Sequence, residues 1–352
     1  MAYGYSIEPH QDDPLVESVD QMMTEFSQAA VPMAWAVDII PALRYLPDGF
    51  PGAGFKQTAK RWRQSFLAAA NTPYQFVKRQ MVEGVHRECY VSNLIDQCKI
   101  DGDVRNLAPE DNHAIMWTAT SLYGAAGDTT VITLRAFTAA MIKYPHVQRK
   151  AQEEIDRVVG AGRLPGWDDR EKLPYVDAVV KEILRWWVVA PMGFPHVADE
   201  DIEYDGMLIP KGAIILPSAY WLLHDPEVYA DPDDFQPERF LAPRSEPDPV
   251  QFAFGFGRRI CPGRFFADSS LYLNIAQSLA CFSYDKAVGK DGKEIDVDIR
   301  PKPGVLSYPT DYEFKVTPRS EERVELIKRV EVERPWQPSD AGSLETWTEG
   351  KA

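Results

Sequence analysis

The 352-residue sequence predicts a mainly α-helical protein carrying small β-sheets, and three observations support this. Apolar residues recur at helical spacing through most of the chain. Prolines stand at the first position of several of these runs, with glycines beyond their ends. Short alternating stretches occur only near residues 202–216 and 311–316.

From Glu17 to about Val37, and again from Phe55 to Val91, the periodicity predicts helices, joined by the Pro- and Gly-rich PALRYLPDGFPGAG. No proline interrupts the stretch between Pro109 and Pro145, which can run as one long helix. HVQRKAQEEIDRVVG then reads as an exposed helix of mixed charge, closed by Gly160. Pro174 opens a further helix in which Val176, Val179, Val180, Ile183, Leu184 and Trp187 form one apolar stripe. From Ile202 to Leu216 the period shortens to two strands around turns at Asp205-Gly206 and Pro210-Lys211-Gly212. Residues 226–263 are mostly loop, an apolar helix runs from about Pro262 to Phe282, and TDYEFKV closes the folded part as a strand. The chain divides into a catalytic domain over 1–317 and a charged, partly disordered tail over 318–352, its last 18 or so residues unstructured.

A net charge of −15 excludes a nucleic-acid partner, which needs clustered Lys and Arg. Cys89, Cys98, Cys261 and Cys281 are widely spaced, so neither a disulfide framework nor a zinc site is expected. The longest stretches free of Asp, Glu, Lys and Arg, Asn112–Gly127 and Ser269–Tyr284, are 16 residues each, short of the roughly 18 or more of a membrane span. The opening MAYGYSIEPHQDDP is polar and acidic, unlike a secretory signal.

The sharpest local feature is Phe254-Gly255-Phe256-Gly257-Arg258-Arg259-Ile260-Cys261-Pro262-Gly263-Arg264. Two glycines allow a tight turn, and Pro262 stands where a helix would begin. A cysteine there meets unpaired helix-end N–H groups, a setting that suits a metal-ligating sulfur. The other three cysteines read as small buried hydrophobes.

The run matches F-x-x-G-x-R-x-C-x-G at Phe254, Gly257, Arg259, Cys261 and Gly263, and so resembles the heme-binding loop of the cytochrome P450 family. Three more of that family's motifs follow its order: Gly124-Ala125-Ala126-Gly127-Asp128-Thr129-Thr130, Glu182-Ile183-Leu184-Arg185 and Pro237-Glu238-Arg239-Phe240. Ala126 departs from the usual Gly of the first. The likeness extends over essentially the whole chain and is closest to fungal members, in keeping with secondary metabolism.

That resemblance implies a cytochrome P450 fold lacking roughly its N-terminal third, with the membrane-anchor helix among the segments that precede this chain's counterpart. It implies a heme b cofactor whose iron takes Cys261 as its axial thiolate. Arg259 and His196 are implied as partners of the heme propionates, and Phe254, beside Gly257 and Gly263, as a shield for the sulfur. Asp128 and Thr129 are implied in proton delivery during oxygen activation, with a helix bulge opened by a Thr hydroxyl that does not bond its own helix. Glu182, Arg185 and Arg239 are implied as a buried structural network. Met116, Thr120, Tyr123, Val189, Phe194, Val305 and Leu306 are implied near an apolar substrate pocket.

The implied activity is insertion of one oxygen atom from dioxygen into a hydrophobic small molecule. Electrons would come from NADPH through a cytochrome P450 reductase docking on the Cys261 side, where Arg258 and Arg264 add positive charge. The implied location is the cytosolic face of the endoplasmic reticulum membrane; since no anchor is read in this sequence, the cytoplasm is the alternative expectation. The alternatives are a non-catalytic relic that binds heme weakly or not at all, and a heme-thiolate isomerase or dehydratase that needs no reductase.

Overall fold

A computed structural model describes residues 2–344 and divides the chain into two compact units, Met1–Asp128 with the segment from Pro335, and Thr129–Arg334.

The first unit contains α1 (Pro14–Ala29), α2 (Ala36–Ile39), α3 (Gly54–Glu83), α4 (Tyr90–Cys98) and the opening of α5 (Pro109–Lys143). Asp13 caps α1, its Oδ1 accepting from Leu15 N at 2.9 Å and Val16 N at 3.1 Å. The helix stops at Ala29, short of the expected Val37, because Pro32 has no N–H and Met33 takes φ 59°. The run expected to reach Val91 breaks at Gly84, which adopts φ 72° as a left-handed cap; α4 then starts afresh, with Cys89 and Ser92 as reciprocal caps. Tyr74, Phe76, Val77, Val91, Ile95 and Ile115 lie in its core.

The second unit holds the rest of α5, then α6 (Pro145–Val158), α7 (Pro174–Trp186), α8 (Ala219–His224), α9 (Val250–Ala253), α10 (Arg264–Cys281) and α11 (Glu321–Glu333). Helix α5 runs unbroken as expected, about 50 Å at 1.5 Å per residue. The α7 stripe is buried as predicted, with α7 packed against α6 and α10. Strand β1 (His196–Val197) pairs with β4 (Ile214–Ile215), β2 (Ile202–Tyr204) with β3 (Met207–Ile209), and β5 (Phe282–Lys286) with β6 (Phe314–Pro318), all antiparallel. Asp205 and Gly206, at φ 50° and 73°, make the tight turn of the β2–β3 hairpin.

The tail differs from expectation. Residues 321–333 form α11, seated by Leu326 and by Arg323, which bonds Asp156 and the Gly160 carbonyl, both at 3.0 Å. Residues 335–344, expected to be unstructured, make defined hydrogen bonds; composition could not reveal partners so remote in sequence. Residues 345–352 lie outside the described residues. Among the described residues no helix is long and apolar enough to cross a membrane.

Candidate functional site

The glycine turn before Cys261 folds as its sequence requires. Gly255 and Gly257 adopt φ 77° and 58°, values costly for any residue with a Cβ. The turn they allow brings Cys261 N to 2.8 Å from Phe254 O, closing a loop around Arg258 and Arg259. Helix α10 begins at Arg264, two residues later than Pro262 suggested, with Gly263 as its cap residue; the Arg264 N–H instead reaches Cys261 O at 3.4 Å in a turn. The sulfur is half-buried at this junction, and Phe254 is half-buried beside an exposed Arg259. By contrast Cys281 is sealed in the core, where burial pushes its thiol up from the ordinary value, and Cys89 is buried as a helix cap.

The three charges of the predicted network meet. Arg185 donates through Nε to Glu182 Oε2 at 2.8 Å and through Nη2 to Oε1 at 2.9 Å, while Arg239 Nε reaches Oε1 at 3.2 Å. All three side chains have zero exposure. Such burial is tolerable only where every donor is satisfied. Here main-chain carbonyls complete the set: Leu223, Pro232 and Asp234 accept from Arg185, and Ala230, Asp231 and Asp234 from Arg239. Gln236 N donates to Glu182 at 2.7 Å. Burial pushes the Glu182 carboxyl up, against the pull of Arg185 and Arg239.

A continuous chain of contacts runs from this network to the cysteine loop. The Arg185 guanidinium lies 5.6 Å over the Tyr229 ring, and Tyr229 packs with Val188, Ala219 and Leu223. Phe252 and Ala253 of α9 rest on that cluster, and Phe254 follows directly. Lys181 on α7 pairs with Asp248 at 3.0 Å, and Asp248 in turn bonds Val250 N.

In α5, Asp128 is buried, Thr129 is half-buried, and Ala125, Ala126 and Gly127 are exposed. The expected bulge is not formed: the helix is regular through this stretch, and the Thr129 carbonyl accepts from Thr133 Oγ1 at 3.1 Å. Gly124 has a packing role, since a Cβ there would lie 3.0 Å from both Met22 Cε and Met23 Sδ.

The residues expected near substrate fall in two groups. In the first unit Met116 and Thr120 are buried; Thr120 Oγ1 bonds Met116 O at 2.8 Å, and Tyr123 meets Tyr3 edge-on. In the second unit, Ser307 N donates to Val189 O at 2.8 Å and Trp187 Nε1 to Ser307 O at 2.7 Å, so Val189 is joined to the strip carrying Val305 and Leu306. Phe194 is exposed at 53%, and His196 is half-buried at the start of β1.

Sequence reasoning missed the carbonyl cradle, because backbone oxygens carry no residue signature. It also missed His224, which stacks on Tyr220 with ring centroids 4.1 Å apart. Burial first, and then the Arg185 charge, lower its pKa to about 4.

A sequence profile described as Cytochrome P450 matches residues 4–316. The chain is 47% identical over 350 residues to the multifunctional cytochrome P450 monooxygenase af510 of Aspergillus fumigatus, covering 99% of this chain and 65% of that protein. It is 46% identical over 344 residues to the cytochrome P450 monooxygenase CLM2 of Gibberella zeae, covering 97% and 65%. It is 40% identical over 347 residues to O-methylsterigmatocystin oxidoreductase of Aspergillus flavus, covering 98% and 64%. The chain thus spans just under two thirds of the length of these fungal relatives. With the cysteine loop, the buried Glu-Arg-Arg network and a match over most of its length, it belongs to the cytochrome P450 family.

Proposed function

We propose that this chain carries the oxygen-activating half of a heme-thiolate monooxygenase that acts on a hydrophobic small molecule. Cys261 carries this reading: it is a half-buried sulfur at a glycine-shaped junction just before α10, whereas Cys89 and Cys281 are buried and the equally half-buried Cys98 ends α4 with no such glycine turn before it. Features of the surroundings support this reading. Phe265 and Phe266 on the turn that follows leave large apolar surfaces open. Exposed Arg259 supplies a cation within the same loop, the chemistry a propionate needs.

When bound, the heme would supply dioxygen reduction and oxygen transfer, with thiolate donation favouring O–O cleavage. The chain's own residues do the rest. Cys261 would hold the iron, and Phe254 would limit water at its sulfur. Arg259 and His196 would pair with the heme propionates. Asp128 and Thr129 hold protons on α5 for delivery, and the apolar side chains of Val189, Val305 and Leu306 favour a hydrophobic substrate. Electrons come from an NADPH-dependent reductase on the Arg258 and Arg264 side, at the cytosolic face of the endoplasmic reticulum, as the family likeness implies. The test is incorporation of isotopically labelled dioxygen into product by the heme-loaded protein with reductase and NADPH. Label in the product is expected; turnover that proceeds unlabelled and without reductase would contradict the reading.

A further inference from the structure

The family match ends at residue 316, yet residues 337–344 are built into the first unit. Asp340 and Ser6 exchange a pair of bonds: Asp340 N donates to Ser6 O at 2.9 Å, and Ser6 N donates to Asp340 Oδ2 at 2.8 Å. The Ser6 hydroxyl also donates to Gln337 Oε1 at 3.2 Å. Arg87 pairs with the Asp340 carboxylate and donates to Gly4 O at 2.8 Å, so one guanidinium ties the two segments together. Arg79 donates to the Ser343 carbonyl, and Leu344 packs on the core of this unit. The approach is close: a Cβ at Gly4, which has φ 59°, would lie 3.0 Å from Arg87 O.

The segment held in this way reaches α5. Tyr3 is buried, with its hydroxyl 3.4 Å from Thr120 Oγ1 and its ring edge-on to Tyr123 at 5.6 Å. Tyr5 donates to Asp13 Oδ2 at 2.9 Å, and its ring meets Phe76 at 5.4 Å. Two of the α5 residues implied in substrate contact are therefore backed by a tyrosine from residues 2–8, and that segment is fastened by Asp340.

We propose that residues 337–344 are an intramolecular clamp, with Asp340 as the positioning residue that holds residues 2–8 and thereby fixes Tyr3 against Thr120 and Tyr123. The clamp stands on its hydrogen bonds alone; only its bearing on substrate choice rests on the monooxygenase reading. Its bonds are polar and its ion pair is partly solvent-accessible, so it belongs to the readily opened part of the fold. A variant that loses it should release residues 2–8 without unfolding the unit.

Hydrogen exchange on the full chain tests this directly. Asp340→Ala removes the acceptor of the Ser6 N–H and the partner of Arg87; exchange across residues 2–8 should quicken by about tenfold or more, with α7 and α10 unchanged. Nitration of Tyr3 should rise in parallel. Asp340→Asn keeps an acceptor but no charge and should fall between, and the double variant Arg87→Asp with Asp340→Arg should recover part of the protection. Unaltered exchange in residues 2–8 of Asp340→Ala would overturn the clamp. Should Asp340→Ala unfold the whole unit, the milder Asp340→Asn decides, and its wild-type exchange and nitration would overturn the clamp equally. In a heme-loaded active enzyme, a changed KM at constant kcat would carry the clamp to substrate choice. An unchanged KM with loosened residues 2–8 would leave the clamp in place and remove only that consequence.

Discussion

Arg185 engages both oxygens of Glu182, at 2.8 and 2.9 Å, with neither side chain exposed to solvent. Removing the arginine strips Glu182 Oε2 of its donor and takes the guanidinium from the Leu223 and Pro232 carbonyls, while Glu182 Oε1 and the Asp234 carbonyl keep Arg239. Arg185→Ala should therefore cost about 3–5 kcal/mol, and Arg185→Lys nearly as much because an ammonium cannot make the paired contact. Through Tyr229 and α9 the loss should also reach the cysteine loop. Denaturant titration and heme content measure both effects; a stable variant with normal heme content would contradict the proposed role.

His224 supplies a pH signature. Its folded pKa, held to about 4 by burial and the Arg185 charge, lies below the roughly 6.5 of an unfolded imidazole. Between these values the unfolded state binds the additional proton, so stability falls as pH drops from about 6.5 towards 4 and is unaffected by this group above that window. After allowance for solvent screening the loss is about 2 kcal/mol. The stability difference between wild type and His224→Gln, followed against pH, should show this slope; a flat difference would count against it.

Two glycines one turn apart on α5 should respond oppositely. Nothing lies within 4 Å of a Cβ at Gly127, whereas one at Gly124 would press on Met22 and Met23. In the heme-free protein, Gly127→Ala should gain up to about 1 kcal/mol from helix propensity, and Gly124→Val should lose about 1–3 kcal/mol to overpacking. Thermal unfolding of the pair separates them, and shifts of the same sign would contradict the packing of α1 on α5.

Thr129→Ala should leave heme binding intact but uncouple the enzyme. NADPH consumption should then exceed product, with peroxide making up the difference. Stoichiometry of NADPH, peroxide and product is the measurement, and coupling equal to wild type would remove Thr129 from proton delivery.

Elements announced by local chemistry were legible in the sequence. Pro109, Pro145 and Pro174 mark the starts of α5, α6 and α7, and Gly160 follows the end of α6, because a missing N–H and a free φ act through neighbouring residues only. The ends of α1 and α3 were misplaced because apolar spacing continues past Pro32 and Gly84, although both breakers stand in plain view. Helix α11 and the segment after it were missed for a different reason: their stability comes from Arg323 on Asp156 and from Asp340 on Ser6, partners more than 160 residues away in sequence. At the site, the meeting of the three network charges could be read from motif spacing. The carbonyls that make the network tolerable could not, and the regular helix at Thr129 differs from the bulge that its residue types suggested.

A heme iron bound through the Cys261 sulfur has a spectroscopic signature. The most direct measurement is the carbon monoxide difference spectrum of the heme-loaded, reduced protein, taken beside Cys261→Ser. The wild type should show the long-wavelength Soret band of a thiolate-ligated heme, and the variant should lack it. The same band in Cys261→Ser, or none in a wild type that has bound heme, would contradict the assignment.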